Sequence, residues 1–199
     1  MSETARSLPV LPVGTPGRRS LGWWGMLWAI VTEGTLFAYL LFSYGYFAVQ
    51  LAGNWMPRQV PPLRLALPGI VLLVISVPAM WLGSFGARRG RTVALLIGLV
   101  LALALGAAFG VLQGLDWRSE PLTLRQGEFG SVYYTLTGLH LAHLAAGLLG
   151  LLLMLIWSAL GYFDARRHAP VLILAAYWYF VVVVGVTVFV ALYVLPRVW

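Results

Sequence analysis

The sequence predicts an all-α polytopic membrane protein, a bundle of five transmembrane helices, on three observations. Of its 199 residues, 61% are hydrophobic and only 10% are charged, whereas soluble domains carry about 25% charged residues. The apolar residues stand in long runs, each at or above the roughly 20 residues that cross a bilayer. No alternating pattern runs long enough for a barrel, and a backbone in hydrocarbon must satisfy its own hydrogen bonds, which favours helices.

The chain divides into a tail and five apolar runs. Residues 1–21 are rich in Ser, Thr, Pro, Gly and Arg without an apolar segment, which predicts a disordered basic tail rather than a cleavable signal peptide. The transmembrane domain is predicted over residues 22–199. Its helices are predicted at about 22–50, 66–87, 92–113, 129–159 and 169–195. The first and fourth runs are long, so these helices are expected to tilt or to extend beyond the membrane.

The distribution of arginine predicts the orientation, because all 13 basic residues are arginines. Five crossings put the termini on opposite sides. One side carries Arg6, Arg18, Arg19, Arg88, Arg89, Arg91, Arg166 and Arg167. The other carries Arg58, Arg64, Arg118, Arg125 and Arg197, with Asp116, Glu120 and Glu128. The arginine-rich side is expected to be cytoplasmic, which puts the N-terminus inside and the C-terminus outside. The net charge of +7 therefore indicates membrane orientation, and no nucleic-acid partner is expected.

Glycine and aromatic residues suggest how the helices pack. Gly106, Gly110 and Gly114 recur every four residues, a pattern that lets another helix backbone approach closely. Tyr177 and Trp178 are predicted to anchor their helix at a membrane interface. The chain has no cysteine, which excludes disulfides, thiolate-held metal clusters and cysteine nucleophiles.

Glu33 is the one acidic residue inside a predicted span. It lies 11 residues after Gly22, about 16 Å along a helix and so near the middle of a roughly 30 Å hydrocarbon core. A carboxylate at that depth is costly, so Glu33 is expected to be protonated or paired and to face protein or water. The sequence leaves open whether it handles protons, contacts a lipid headgroup or only stabilises the fold.

His140 and His143 lie on one face of the fourth predicted helix, about 60° apart. Both fall near the predicted depth of Glu33, so the three side chains could meet. A structural, hydrogen-bonding role is favoured for the two histidines. No metal site is expected, because no cysteine or third intramembrane histidine completes a ligand set. Motifs for nucleotide binding, metalloproteases and serine hydrolases are also absent, so no catalytic residue is predicted in this chain.

Four segments, in order along the chain, resemble the five-helix bacterial form of the cytochrome c oxidase subunit III family. They are Trp24-Gly25-Met26 with Thr32-Glu33-Gly34, then Leu112-Gln113-Gly114-Leu115-Asp116-Trp117, then Leu136 to His143 with Gly147, and Tyr177-Trp178 with Phe180-Val181. The resemblance covers about residues 22–195.

The resemblance implies an accessory subunit of a respiratory haem–copper oxidase in the bacterial cytoplasmic (inner) membrane. It implies no cofactor in this chain, since haem and copper lie in the partner subunits. Catalytic subunit I and subunit II are the expected partners, and phospholipid is expected in a cleft between the first two helices and the other three. Glu33 matches the family's buried glutamate, the candidate for proton uptake or the lipid cleft, and His140 and His143 match its histidine pair.

The chain departs from the family pattern in its last helix. Tyr179, Val182 and Gly185 stand where the family usually has histidine, aspartate and tryptophan, and Trp157 stands where a lipid-binding arginine ends the fourth helix of mitochondrial forms. A subunit III-like protein of a nitric oxide reductase system therefore remains an alternative. So do a stand-alone proton-coupled transporter that uses Glu33 and the histidines, and an assembly factor.

Overall fold

The computed structural model describes residues 21–51, 55, 61–119, 127–163 and 167–198. Five helical spans within them are long and apolar enough to cross a membrane, which confirms the predicted fold class. They are α1 (Leu21–Gln50), α2 (Leu63–Arg88), α3 (Thr92–Ser119), α4 (Gly127–Ala159) and a fifth span that joins α5 (Ala169–Phe189), a π-helical turn (Val190–Val194) and α6 (Leu195–Val198). The tail predicted to be disordered lies outside the described residues, apart from Leu21, which begins α1.

The helices are longer than the apolar runs that predicted them. The predicted third helix ends near residue 113, but α3 continues to Ser119, and α2 begins at Leu63 rather than near 66. The extra turn of α3 carries polar groups that find partners inside the bundle, so hydropathy alone ends the helix too early. Pro68 and Pro78 lie inside α2, which is nevertheless continuous from Leu63 to Arg88.

Two helices end in the same hydrogen-bonded motif. At the end of α2, the amide of Arg91 donates to the carbonyl of Gly86 at 2.9 Å, and Gly90 adopts a φ of 63°. Gly161, with a φ of 79°, ends α4 in the same way. A Cβ is strained at such a φ, which accounts for glycine at both positions. The end of the bundle that holds the α2–α3 turn is called the hairpin end below, and the other is called the far end.

Backbone-to-backbone packing occurs between α2 and α3, at Gly98 rather than at the predicted glycine series. A Cβ on Gly98 would lie 2.5 Å from the Cα of Gly83 and 2.7 Å from the carbonyl oxygen of Ala79. Close packing within the bundle is confirmed at Gly106 and Gly110, but the neighbours are side chains and not the backbone of another helix. Side chains fill the space beside Gly106 and Gly110, and nothing lies within 4 Å of the Cβ position of Gly114.

Trp178 occupies the centre of the bundle and is fully buried, so its prediction as an interfacial anchor was wrong. Its ring fits against Gly106 of α3 and Gly147 of α4, where added Cβ atoms would lie 2.5 and 3.1 Å from ring carbons. The indole Nε1 donates to the hydroxyl of Ser76 on α2 at 2.9 Å. One side chain therefore joins α5 to three other helices.

The helix α1 is the most peripheral of the five. It packs on α5 and α4, and of its described residues only Phe37 and Tyr44 are buried. Large apolar side chains such as Trp28, Tyr39 and Phe42 point outward. Such a surface is stable only against lipid or another apolar protein surface.

Candidate functional site

Glu33 on α1 contacts His143 on α4. The carboxylate Oε2 lies 3.1 Å from Nε2 of His143, so two of the three side chains that the sequence placed at one depth do meet. Phe37 packs edge-on against the imidazole with 5.2 Å between ring centres. On the isolated chain, 41% of the Glu33 side chain is exposed and 13% of the His143 side chain. The pair therefore lies at the edge of the bundle, beside α1.

The hydrogen bonds of His143 determine how many protons the pair shares. Its Nδ1 lies 2.8 Å from the carbonyl oxygen of Leu139. Because a carbonyl oxygen can only accept, Nδ1 carries a proton and donates it. A hydrogen bond between Nε2 and Oε2 then requires one further proton, held either by the carboxyl group or by the imidazole. In both arrangements the pair has no net charge, and the arrangement with a neutral carboxyl group and a neutral imidazole also avoids the cost of desolvating two ions.

His140 faces the interior and does not join this pair. Its Nε2 lies 3.1 Å from the carbonyl oxygen of Val181 on α5, to which it must donate. The ring packs edge-on against Phe109 of α3, with 5.5 Å between ring centres. Only 3% of its surface is exposed. His140 thus has the geometry of a histidine that ties α4 to α5.

Of the three unusual residues of the last helix, Gly185 accounts for this position of His140. A Cβ on Gly185 would lie 2.8 Å from Nε2 of His140 and 2.8 Å from Cδ2 of Leu73, so a large side chain at position 185 is incompatible with this packing. Val182 is buried in the apolar core. Tyr179 is different, because it lines a groove at the hairpin end.

This groove is a cavity of about 410 Å³ between α1 and α2, and α5 forms its floor. Trp23 lines it from α1, Trp81 and Arg88 from α2, and His168 and Tyr179 from the α5 side. Its walls come from the first two helices and from α5, so it occupies part of the boundary at which a cleft between the first two helices and the other three is expected. None of the described residues of α3 or α4 lines it, and α2 packs directly on α3 at Gly98.

The far end contains an acidic site that the sequence reasoning missed. Asp116, only 1% exposed, accepts hydrogen bonds at Oδ2 from the hydroxyls of Tyr133 at 3.0 Å and Tyr193 at 2.5 Å. The two tyrosine oxygens lie 2.7 Å apart. The sequence places Asp116 beside the outer arginines and within one of the four family segments, and predicts no interior role for it. Its proximity to Trp117 and Gln113 was visible in the sequence, but its partners are 17 and 77 residues away.

Among the residues described here, no three His, Asp, Glu or Cys side chains come together in a group that could hold a metal ion. Glu33 and His143 make a two-residue contact, whereas His140 directs its Nε2 to the carbonyl of Val181 on α5. A metal ligand set would need at least a third donor beside the pair.

Five apolar spans joined by short connections, with interior polar contacts between helices, define a multi-pass helical membrane protein. The chain belongs to the cytochrome c oxidase subunit III family, whose model matches residues 18–197. This confirms the resemblance drawn from the four sequence segments.

Named relatives agree with this assignment. The chain is 29% identical to the probable cytochrome c oxidase subunit 3 of Nocardia farcinica, over 84% of each chain. It is 28% identical to the protein of that name from Mycobacterium bovis, over 96% of this chain and 95% of the relative. It is 29% identical to cytochrome c oxidase subunit 3 of Ornithorhynchus anatinus, over 85% of this chain and 68% of that longer protein.

Proposed function

We propose that this chain is an accessory subunit of a respiratory cytochrome c oxidase in a bacterial cytoplasmic membrane. In this role it packs on the catalytic subunit I beside subunit II, which hold the haem and copper, and carries no redox centre itself. Family membership and the names of the relatives favour an oxidase over the nitric oxide reductase and transporter alternatives. The largely exposed apolar faces of α1 are suited to contact with lipid or a partner subunit.

The observation that carries the functional part of the proposal is the contact between Glu33 and His143. The pair holds one exchangeable proton between the carboxyl group of Glu33 and the imidazole of His143. Both groups can bind and release a proton, and such groups are rare inside a membrane span. In the proposed role the pair supports proton uptake during sustained turnover, because a proton can move from the carboxyl to the imidazole without creating net charge. Lipid and the partner surface would cover the exposed side of Glu33.

The test is oxygen consumption by the purified complex, followed through many turnovers, with Glu33→Gln and Glu33→Ala. Glutamine keeps an amide that can donate to Nε2 of His143, but it has no acidic proton to exchange. Alanine removes both the hydrogen bond and the acidic proton. We expect an unchanged initial rate and a shortened active lifetime in both variants. Glu128→Gln is the matched control, because Glu128 is an exposed acid at the start of α4. An unchanged active lifetime in both Glu33 variants would leave the pair a structural role only.

We further propose that the groove between α1 and α2 binds a phospholipid, with the headgroup at Arg88. The groove is open, lined mainly by apolar and aromatic side chains, and has a cation at the hairpin end. This combination fits acyl chains along the helices and a phosphate near the membrane surface.

Two adjacent arginines give a matched test of the lipid site. Arg88 lines the groove, whereas the Arg89 guanidinium lies 4.5 Å from the centre of the Phe85 ring. Native mass spectrometry after mild-detergent purification should find less retained phosphatidylglycerol in Arg88→Gln than in Arg89→Gln. Equal retention in the two variants would contradict a headgroup site at Arg88.

A further inference from the structure

A small cavity lies in the interior of the bundle, lined by His140 on one side and by Tyr193 of the Asp116 cluster on the other. Its volume is about 20 Å³. Four polar side chains contribute to its wall, namely Gln113 from α3, Thr137 and His140 from α4, and Tyr193 from the π-helical turn. The rest of the wall is apolar and includes Gly185. A space of 10–15 Å³ measured in this way is enough for one water molecule.

One polar atom at this cavity lacks a well-formed hydrogen bond in the protein. The Nε2 of Gln113 is buried and makes no hydrogen bond of normal geometry, although the hydroxyl of Tyr193 is its neighbour in the cavity wall. Buried polar atoms are nearly always satisfied by protein or by ordered water. Because water both donates and accepts, it would satisfy this amide in either orientation of the amide group.

The other polar groups of the wall offer the complementary hydrogen bonds. His140 uses its Nε2 proton for the carbonyl of Val181, which makes its Nδ1 an acceptor. Thr137 gives its proton to the carbonyl of Tyr133 and already accepts from Nε1 of Trp117, and Tyr193 donates to Asp116. Each hydroxyl oxygen therefore keeps a lone pair for a further hydrogen bond. These groups supply one donor and three acceptors. A water molecule in the cavity would accept from Gln113 and donate to two of the three acceptors.

We propose that this cavity is a binding site for one ordered water molecule, held by Gln113 and by acceptors on α4 and the π-helical turn. The water joins the Asp116–Tyr133–Tyr193 cluster to His140. The result is a continuous chain of hydrogen-bonding groups from the far end of the bundle to its middle. Gly185 is part of this site, because a side chain at that position would compete with His140 for the same space.

The test uses the full chain in a lipidic mesophase, crystallised at a resolution that resolves ordered water, and infrared spectra in ordinary and ¹⁸O-labelled water. The wild type should show one density peak within hydrogen-bonding distance of Gln113 and Tyr193, and an O–H stretching band that shifts with ¹⁸O. Gln113→Met keeps the length of the side chain but removes its hydrogen bonds, so the peak and band should be lost. Gln50→Met, at an exposed position on α1, should retain both.

A second pair of variants keeps the test informative if Gln113→Met fails to fold. Val188 lines the cavity, so Val188→Ile adds a methyl group that competes with the water and leaves every polar group in place. Val184 is buried but does not line the cavity, which makes Val184→Ile the control. Loss of the band in Val188→Ile alone supports the site. A dry cavity in the wild type, or a band retained in both Gln113→Met and Val188→Ile, overturns it.

Discussion

At the scale of single residues, the glycines of this bundle differ in what surrounds them. Gly98 has the backbone of Gly83 where a Cβ would stand, and a backbone cannot rotate away as a flexible side chain can. At Gly185 the neighbours are a histidine that makes a buried hydrogen bond and a leucine. Gly114 has nothing within 4 Å. One substitution should therefore have opposite effects at different positions.

Gly98→Ala is expected to lower the free energy of unfolding by at least about 1–3 kcal/mol, the usual cost of overpacking a core. The reason is that α2 and α3 must separate to admit the methyl group. Thermal unfolding of the purified chain in mild detergent measures the effect. Gly114→Ala is the matched control and should be neutral or slightly stabilising, because alanine favours a helix over glycine by up to about 1 kcal/mol. Equal stability of the two variants would contradict backbone contact at Gly98.

At the scale of the helices, a few buried side chains join elements that hydropathy treats as independent. Trp178 joins α5 to α2, α3 and α4. His140 joins α4 to α5, and the tyrosines at Asp116 join α3 to α4 and to the π-helical turn. Because apolar side chains gain little by leaving lipid for a protein interior, such packing and hydrogen bonds carry much of the association between membrane helices.

Ser76→Ala is expected to destabilise the chain, because it leaves the indole Nε1 of Trp178 buried without an acceptor. A buried group that loses its partner costs about 1–3 kcal/mol. Ser43→Ala is the control: Ser43 donates only to the carbonyl of Tyr39 in its own helix and should change stability by less than about 0.5 kcal/mol. Chemical denaturation monitored by tryptophan fluorescence compares the two. If Ser43→Ala destabilises the chain as much as Ser76→Ala does, the hydrogen bond from Trp178 to Ser76 makes no stabilising contribution of its own.

At the scale of the whole molecule, the sequence alone predicts the number and order of the membrane-spanning helices. An apolar run long enough to cross a membrane can satisfy its backbone hydrogen bonds there only as a helix or within a closed barrel. The sequence also placed Glu33 and His143 at one depth. It could not predict which faces meet, because every side of these helices is apolar and hydropathy does not distinguish protein from lipid. For that reason Trp178 was placed at an interface and Asp116 beside the outer arginines, although both are buried.

The predicted orientation of the whole chain has a direct test, because the sequence contains no cysteine and each introduced thiol is unique. Thr92 is exposed at the hairpin end, and Ser119 is exposed at the far end of the same helix. The arginine-rich hairpin end is expected to face the cytoplasm. In spheroplasts, a membrane-impermeant maleimide should therefore label Ser119→Cys at once, and Thr92→Cys only after the membrane is permeabilised. Since both positions lie on α3, the reverse result would place the hairpin end outside and exchange the sides of the groove at Arg88 and the cluster at Asp116.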